Sequence, residues 1–497
     1  MTHLQLLALS PILIVSATGI IVMLAIAIRR HHAFIASVSM AGLALALAST
    51  AAVWHESAAP RAITALLIID PFACFYMAMI LVAALAATGF SYTYLGRYQG
   101  RREEMYLLLL LSTLGGMVMA ASRHFTSFFV GLELLSMPMY GMAAYLVKER
   151  RSLEAGMKYL VLSAVASAFI LFGMALIYAQ TGTMEFGDIG ARLAEITGGE
   201  RIIAMLGAAL LLTGLGFKLS LAPFHLWTPD VYQGAPAPVA SFLATALKIA
   251  VFALLLRYVV DTHATRYATL VDTLTMLAIL SIVVGNVLAL RQPNLKRLLA
   301  YSAIAHFGYM LVALIAAGPL ATEAVGIYLL TYSITTLAAF GVIALASSPL
   351  DHEAQALSDY RGLFWQHPGL AAILTLALLS LAGVPLTAGF LGKFYVLGAG
   401  VDTRQWLLLG AIVAGSAVGL YFYLRAMIQL YLRPATTAAA ALAPPLHWSR
   451  RPAGGVLIVL FLLMLALGIY PAPFIKLAQA TGTEPQSSTP LLTAERR

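Results

Sequence analysis

Apolar stretches of about 20 residues recur along almost the whole chain, separated by short polar segments. A helical run of that length matches the thickness of the hydrocarbon core of a bilayer. Because lipid offers no hydrogen-bond partner to an open backbone, each run is predicted to be an α-helix. The chain is therefore predicted to be an all-α integral membrane protein, and strands are not expected.

About fourteen spans meet this criterion. They are predicted at residues 4–28, 34–53, 72–90, 105–121, 125–147, 159–179, 202–222, 239–260, 270–290, 298–316, 324–346, 370–397, 406–432 and 452–474. Composition agrees, because 61% of the 497 residues are hydrophobic and only 10% are charged, against roughly 25% charged in soluble proteins. No linker divides the chain, so a single transmembrane domain is predicted.

The formal charge of +9 would be compatible with a nucleic-acid partner in a soluble protein, so the positions of the basic residues decide. Sixteen of the 30 lysines and arginines are assigned to loops after odd-numbered spans and seven to loops after even-numbered spans. This count places Lys158, Arg257 and Lys296 in loops. The positive-inside rule then assigns the odd-numbered loops to the cytoplasm and both termini to the outer side of the inner (plasma) membrane. No nucleic-acid partner is predicted.

The seventh and twelfth spans carry similar motifs, Gly-Leu-Gly-Phe-Lys at 214–218 and Gly-Phe-Leu-Gly-Lys at 389–393. The spans are five apart, so equivalent helices would cross the membrane in opposite directions, as an inverted repeat requires. Pro223 follows the first lysine and Pro385 precedes the second. Together with the glycines, these prolines predict helices that break inside the bilayer, which is typical of ion paths.

Five ionisable residues fall inside predicted spans: Glu133, Lys218, Lys248, Lys393 and Arg425. A charge at that depth costs roughly 2.5 to 3.5 kcal/mol on insertion scales, so each must be paired, hydrated or functional. Static ion pairs are the alternative interpretation, but four cations and one carboxylate cannot all pair. For Arg425, snorkelling to the membrane surface is an equal alternative.

Lysine suits proton transfer in such a place because burial favours the neutral amine and a nearby carboxylate favours the charged form. At about 6 Å and an effective dielectric of about 20, the attraction between two such charges is roughly 2.8 kcal/mol. Moving or protonating Glu133 could therefore switch the charge of Lys218. We expect these two residues to act as a pair.

Two histidines extend this set, because imidazole titrates near neutrality and relays protons. His225 follows the seventh span, and His306 lies in the tenth span near Tyr301 and Tyr309. The alternative is that each is simply a hydrogen-bonded interior histidine. Asp70, at the start of the third span, is interpreted as an interfacial or structural carboxylate.

The sequence carries no motif that predicts a bound cofactor or metal. Cys74 is the only cysteine, so neither a disulfide nor an iron–sulfur cluster can be built from this chain alone. Gly392-Lys393 is similar to the end of a phosphate loop, but Phe394 stands where Ser or Thr is needed. No cofactor or metal is expected in this chain, and redox chemistry must then lie elsewhere.

The motifs around these residues resemble those of the antiporter-like membrane subunits of respiratory complex I, the bacterial proton-pumping NADH:quinone oxidoreductase. The resemblance covers residues 70–471 and rests on the segments at 131–136, 158–163, 217–232, 234–238 and 294–302. Trp-Thr-Pro-Asp-Val-Tyr at 227–232 is the most specific of them. The pattern is similar to the N type of subunit, because the M type carries a glutamate where Lys393 stands and the L type carries a long C-terminal lateral helix.

The resemblance implies a proton path through Glu133, Lys218, Lys248 and Lys393. It also implies inverted repeats of five helices at 104–261 and 269–432, each with a broken helix. Three N-terminal helices at 1–103, a last helix at 452–475 and a flexible tail at 481–497 complete the expected organisation. NADH, FMN, iron–sulfur clusters and quinone would bind to other subunits, and the partners would be the M, L, K and J membrane subunits.

Three functions remain open at this point. The leading hypothesis is a subunit of a proton-translocating enzyme complex that couples electron transfer from NADH to quinone to proton pumping. A subunit of a multi-subunit cation/proton antiporter or of a membrane-bound hydrogenase would share the same fold. A passive membrane scaffold would use the buried charges only to fix its assembly.

Overall fold

A computed structural model describes residues 3–56, 61–96, 98–349, 353–433 and 448–482. The first ten helices are α1 (His3–Ile28), α2 (His32–Glu56), α3 (Pro71–Leu95), α4 (Glu104–Ala120), α5 (Phe125–Ala143), α6 (Arg150–Thr181), α7 (Phe186–Glu195), α8 (Gly198–Leu219), α9 (Trp227–Gly234) and α10 (Ala237–Ala244). The other ten are α11 (Ala246–Asp261), α12 (Ala268–Ala289), α13 (Leu295–Ala316), α14 (Gly318–Ala346), α15 (Leu363–Gln366), α16 (Pro368–Ala382), α17 (Ala388–Asp402), α18 (Trp406–Tyr431), α19 (Pro452–Ile469) and α20 (Ala472–Gln479).

The predicted all-α membrane fold is confirmed. Eleven helical stretches within the described ranges are long and apolar enough to cross a membrane, and each of the fourteen predicted spans coincides with one or two helices. The most deeply buried spans are those of α3, α10 with α11, α13 and α14. These helices form the centre of the bundle. Residues 483–497 of the predicted tail lie outside the described part of the chain.

One small departure concerns strands, which were not expected. β1 (Arg61–Ala62) pairs antiparallel with β2 (Ile68–Ile69) in the connection between α2 and α3. The pairing satisfies backbone groups in a segment outside the predicted spans, where water competes and helical closure is not required.

The breaks predicted in the seventh and twelfth spans are present. The seventh is interrupted between Leu219 and Trp227, and the twelfth between Ala382 and Ala388, so Pro223 lies in the first break. Left-handed residues follow the first half of each of these two spans, Ser220 at φ 63° and Gly383 at φ 81°. These conformations stop the helical hydrogen-bond ladder and leave carbonyl groups free at the helix ends.

The paired glycines, however, lie inside helices and do not mark the breaks. A Cβ atom on Gly389 would approach the carbonyl oxygen of Ser380 to 1.8 Å. Glycine at this position therefore allows two halves of the twelfth span to approach each other closely.

A third break, in the eighth span, was not predicted. α10 ends at Ala244 and α11 begins at Ala246, with Thr245 between them at φ −121° and ψ −77°. The Thr245 hydroxyl donates to the carbonyl of Ser241 at 2.7 Å. Neither glycine nor proline stands at the junction, so the sequence carries no ordinary signal for it.

The assignment of three basic residues to loops is wrong. Lys158, Arg257 and Lys296 lie within α6, α11 and α13. Each is paired with a carboxylate; the pairing makes the buried positions of Arg257 and Lys296 tolerable, whereas Lys158 is 41% exposed. Moving the three out of the loop count leaves fourteen basic residues against six, so the positive-inside bias persists.

Asp70 is a structural carboxylate in this fold. Its Oδ1 accepts a hydrogen bond from the backbone N–H of Ala73 at 2.7 Å and caps the N-terminus of α3. Both carboxylate oxygens also accept from the Arg257 guanidinium at 2.8 Å. Arg257 is only 7% exposed and stacks over Phe72. The pair ties the start of α3 to α11.

Candidate functional site

Lys218 lies in the last turn of α8, immediately before the break, and its side chain is 0% exposed. The ammonium donates hydrogen bonds to Ser136 Oγ on α5 at 2.8 Å and to Ser163 Oγ on α6 at 2.7 Å. Ser163 is bonded in turn to the Tyr140 hydroxyl at 2.8 Å. Two helices, α5 and α6, therefore supply hydroxyl groups around one buried lysine of α8.

Glu133 lies on α5 and is partly buried. It accepts a hydrogen bond from the Ser167 hydroxyl at 2.6 Å, and no ion pair within 4.0 Å joins it to Lys218. Ser136 lies one turn after Glu133, and Ser163 lies one turn before Ser167. Serine hydroxyls of α5 and α6 therefore contact each member of the expected pair, and no ion pair joins the two residues.

Lys248 begins α11 just after the Thr245 break and is also 0% exposed. Its ammonium donates to the backbone carbonyl of Lys218 at 2.8 Å and to Ser220 Oγ. The aromatic faces of Trp227 and Phe307 lie 5.1 and 5.5 Å from Nζ. The Lys248 ammonium thus lies at the C-terminal end of α8, where free carbonyls and the helix dipole favour a cation.

Lys393 repeats this arrangement in the twelfth span. It lies in α17, is 8% exposed, and donates to the carbonyl of Ala382 at 2.8 Å. Ala382 is the last residue of α16. Nζ also lies 5.5 Å from the centre of the Tyr309 ring. At the breaks of the seventh and twelfth spans, a buried lysine therefore donates a hydrogen bond to a backbone carbonyl that the break has freed.

His306 lies in α13 and is buried between hydroxyl groups of two other helices. Nδ1 is hydrogen bonded to Tyr328 of α14 at 2.8 Å, and Nε2 to Tyr423 of α18 at 3.1 Å. The Tyr309 ring packs edge-on against the imidazole at 5.6 Å. Tyr301, the other expected neighbour, makes no hydrogen bond to the imidazole.

His225 and Arg425 are not hydrogen bonded to these groups. His225 is buried in the break between α8 and α9, and neither ring nitrogen has a hydrogen-bond partner among the described residues. Arg425 donates to the carbonyls of Leu290 and Gln292 at 2.6 and 2.7 Å, just beyond the end of α12. Arg425 is therefore a helix cap.

Sequence reasoning missed the hydroxyl groups that hold the charged residues. Ser136 and Tyr140 are four residues apart on α5, as are Ser163 and Ser167 on α6. Polar side chains repeated at helical spacing within apolar spans were the available signal. The tyrosines around His306 come from distant parts of the chain and left no local signal.

Lys218, Lys248 and Lys393 share one property that static pairing does not explain. None of the three lies within 4.0 Å of a carboxylate in the described part of the chain. Buried amines held by hydroxyls and carbonyls at broken helix ends can gain or lose a proton without losing an ion-pair partner. This fold and site define a multi-pass membrane protein of the ion-translocating class.

Comparison with known proteins narrows this class. The sequence model described as "NADH:quinone oxidoreductase/Mrp antiporter, TM" matches residues 122–419. NADH-quinone oxidoreductase subunit N of Ectopseudomonas mendocina is 54% identical over 95% of this chain and 96% of its own length. The subunit of the same name from Chromohalobacter salexigens is 51% identical over 95% of this chain and 98% of its own. The chain belongs to the NADH-quinone oxidoreductase subunit N family.

Solved structures agree. A chain of respiratory complex I from Thermus thermophilus, determined with bound aureothin, superposes with a TM-score of 0.80 at 36% identity and covers 95% of this chain and 100% of that one. A chain of the archaeal membrane-bound sulfane sulfur reductase gives 0.82 at 25% identity over 96% and 97%. A chain of the Mrp complex from Dietzia gives 0.83 at 21% identity over 98% of both, and shows the shared fold alone.

Proposed function

We propose that Glu133, Lys218, Lys248, His306 and Lys393 form a charged row that carries protons through this chain. Membership of the family makes the chain a proton-translocating membrane subunit of NADH:quinone oxidoreductase. The observation that carries the assignment to these residues is the absence of carboxylate partners for three buried lysines in the described structure. His225 lies beside the row in the break of the seventh span.

The contacts support transfer of charge changes between neighbours. Protonation or movement of Glu133 alters the field at Lys218, because the carboxylate acts electrostatically on the buried ammonium. Lys248 is bonded to the carbonyl of Lys218 itself, so charge on one ammonium disfavours charge on the other. Discharge of Lys248 then permits proton movement toward His306 and Lys393.

The test is the pair of variants Lys218→Ala and Glu133→Ala in the assembled complex. Both should lower proton pumping and quinone-reductase turnover together by about tenfold or more, because a positioned proton carrier contributes roughly 10²- to 10⁴-fold. Lys148→Ala, at an exposed inner loop lysine, is the matched control. Normal pumping in both variants, with assembly verified, would rule out the proposed row.

A passive scaffold makes a different prediction for the distal lysines. Lys248→Met and Lys393→Met preserve length and apolar packing while removing the amine. A scaffold would retain pumping in both variants, whereas the proposed row requires both to lose it. Unchanged electron-transfer activity with lost pumping would show uncoupling and would still place the amines on the path.

The assembly and orientation are also proposals. NADH, FMN, iron–sulfur clusters and quinone are expected on other subunits, and the M, L, K and J membrane subunits are the expected neighbours. The repeats are proposed at 104–261 and 269–432, with both termini on the outer side of the bacterial inner membrane. Co-purification with NADH-oxidising subunits, together with protease accessibility of a tag at each terminus, tests these points.

A further inference from the structure

A polar cavity opens at the side of the bundle that the positive-inside count assigns to the cytoplasm. Its volume is about 830 Å³, enough for many water molecules. We call it the inner vestibule, and its lining includes Glu149, Arg151, Gln233, Asn294, Glu353 and Gln355. The charged row described above does not use any of these residues.

The floor of the inner vestibule holds a buried acid–base pair. Glu353 Oε1 accepts from the Lys296 ammonium at 3.0 Å and from the backbone N–H of Ala237, the first residue of α10, at 2.9 Å. Lys296 is 0% exposed and also donates to the carbonyl of Ala235 at 2.6 Å. Glu353 is 14% exposed and borders the cavity. One carboxylate therefore connects vestibule water with a fully buried amine.

Beyond this floor, three buried hydroxyls lead toward His306. Along α14, Tyr332, Thr336 and Phe340 succeed one another at four-residue spacing, and the Tyr332 ring lies 5.4 Å from His306. The Tyr232 ring lies 5.9 Å from Phe340, at the end nearer the floor. Within the described structure the Tyr232 hydroxyl has no hydrogen-bond partner, and the Tyr332 and Thr336 hydroxyls lie near each other without a hydrogen bond of good geometry.

Buried polar atoms without partners in a folded protein point to bound water. The eight residues from Tyr332 to Phe340 correspond to about 12 Å of helix, a distance that a few water molecules can bridge. Tyr232 also lies just before the residue that Lys296 contacts, since Ala235 is three residues further along the chain. These hydroxyls thus offer hydrogen-bond sites for water between the floor and the row.

We propose that the inner vestibule is the site at which protons enter from the cytoplasmic side, with Glu353 as the group that takes them up. A proton from vestibule water binds the Glu353 carboxylate as the Lys296 ammonium releases its own proton inward. Glu353 then passes its proton to the neutral Lys296, so one proton has entered and the ion pair is restored. This inference rests on the proposed function of the charged row.

Several other charged or titratable groups face Glu353. Tyr94 of α3 and Glu149, just ahead of α6, line the same cavity. The Arg151 guanidinium donates a hydrogen bond to Gln355 Oε1, another lining residue of the cavity, at 3.4 Å. Asp359 is occupied by the backbone N–H groups of residues 355 and 356. The remaining charged side chains in the lining are Arg150 and Glu154.

The test uses Glu353→Ala in the whole complex, assayed in inside-out membrane vesicles so that the inner vestibule faces the bulk buffer. Proton pumping and NADH:quinone turnover should fall by about a hundredfold, the lower end of the range for loss of a positioned proton carrier. Formate added at high concentration should restore at least a third of the lost rate, because it can occupy the vacated site and relay protons. Chloride at the same ionic strength should restore none.

Matched variants separate proton uptake from a structural role. Asp188→Ala removes an exposed carboxylate of α7, outside the inner vestibule, and it should leave both rates unchanged. Glu353→Asp should retain most activity. Tyr232→Phe should slow pumping severalfold, whereas Tyr76→Phe, which removes another unpartnered buried hydroxyl at the far end of α3, should not.

Three results would overturn the proposal: normal pumping in Glu353→Ala, a loss that formate does not relieve, or full recovery in the double variant E353Q/K296M. Full recovery in the double variant would show that the Glu353–Lys296 pair has only a structural role. If any one of these occurs while Lys218→Ala abolishes pumping, the row stands and protons enter elsewhere. Normal pumping in Lys218→Ala would instead remove the proposed function itself.

Discussion

Replacing Asp70 by asparagine separates the charge of a buried ion pair from its shape. Asparagine has nearly the same size and caps helix N-termini about as well as aspartate, so the cap on Ala73 is retained. The two 2.8 Å hydrogen bonds from Arg257 lose their anionic partner. A buried guanidinium is then left without a compensating charge.

Breaking a buried pair by removing one partner costs about 3–5 kcal/mol. The lower end applies here, because Arg257 keeps a hydrogen bond to the Ala120 carbonyl at 3.3 Å and its stacking over Phe72. About 3 kcal/mol lowers the ratio of folded to unfolded chain by more than a hundredfold. With an unfolding entropy of about 2 cal/mol/K per residue, the melting temperature should fall by about 3 °C if the chain unfolds as one unit.

The assay is the thermal denaturation of the purified complex, followed by the proton-to-electron ratio of the fraction that remains assembled. Asp70→Asn should lower the melting temperature and leave that ratio unchanged. Asp70→Asn combined with Arg257→Met should regain much of the loss, since no charge is stranded. A normal melting temperature with a lowered ratio would refute the structural role and place Asp70 on the proton path.

Two further variants test other contacts of the site. Arg425→Met removes two charge-assisted hydrogen bonds to the end of α12 and should destabilise the chain by roughly 2 kcal/mol. The melting temperature should fall while pumping per assembled complex stays normal. Lost pumping at full stability would contradict the role of Arg425 as a helix cap. Ser163→Ala removes one of the two hydroxyl partners of Lys218 and should slow pumping about tenfold, whereas Thr213→Ala, on the exposed side of α8, should change nothing.

Much of the fold follows from the sequence, because lipid permits few solutions for a long apolar run. The fourteen spans and two of the three broken helices were predicted in this way. The break at Thr245 was not, since it depends on how α10 and α11 pack against the rest of the bundle. Arg257 and Lys296 were placed in loops because their partners, Asp70 and Glu353, lie far away in sequence.

The candidate site, like the fold, was predicted from the sequence only in part. The charged residues were visible because each conflicts with its apolar surroundings. The nature of the contact was not visible, because serine is unremarkable in a membrane helix and the expected carboxylate–amine bridge is replaced by hydroxyls. The partners of His306 come from α14 and α18, so only the three-dimensional arrangement reveals them.

The hydroxyl partners of Lys218 have a consequence for energy conversion. A serine O–H can turn round and donate to an amine nitrogen that has just lost its hydrogen, which a carboxylate cannot do. Both states of the lysine therefore keep a full set of polar neighbours, and neither is trapped in a deep well. A small change in the electric field from a neighbouring subunit is then enough to shift the protonation equilibrium of Lys218, so little of the redox free energy is dissipated at each transfer step.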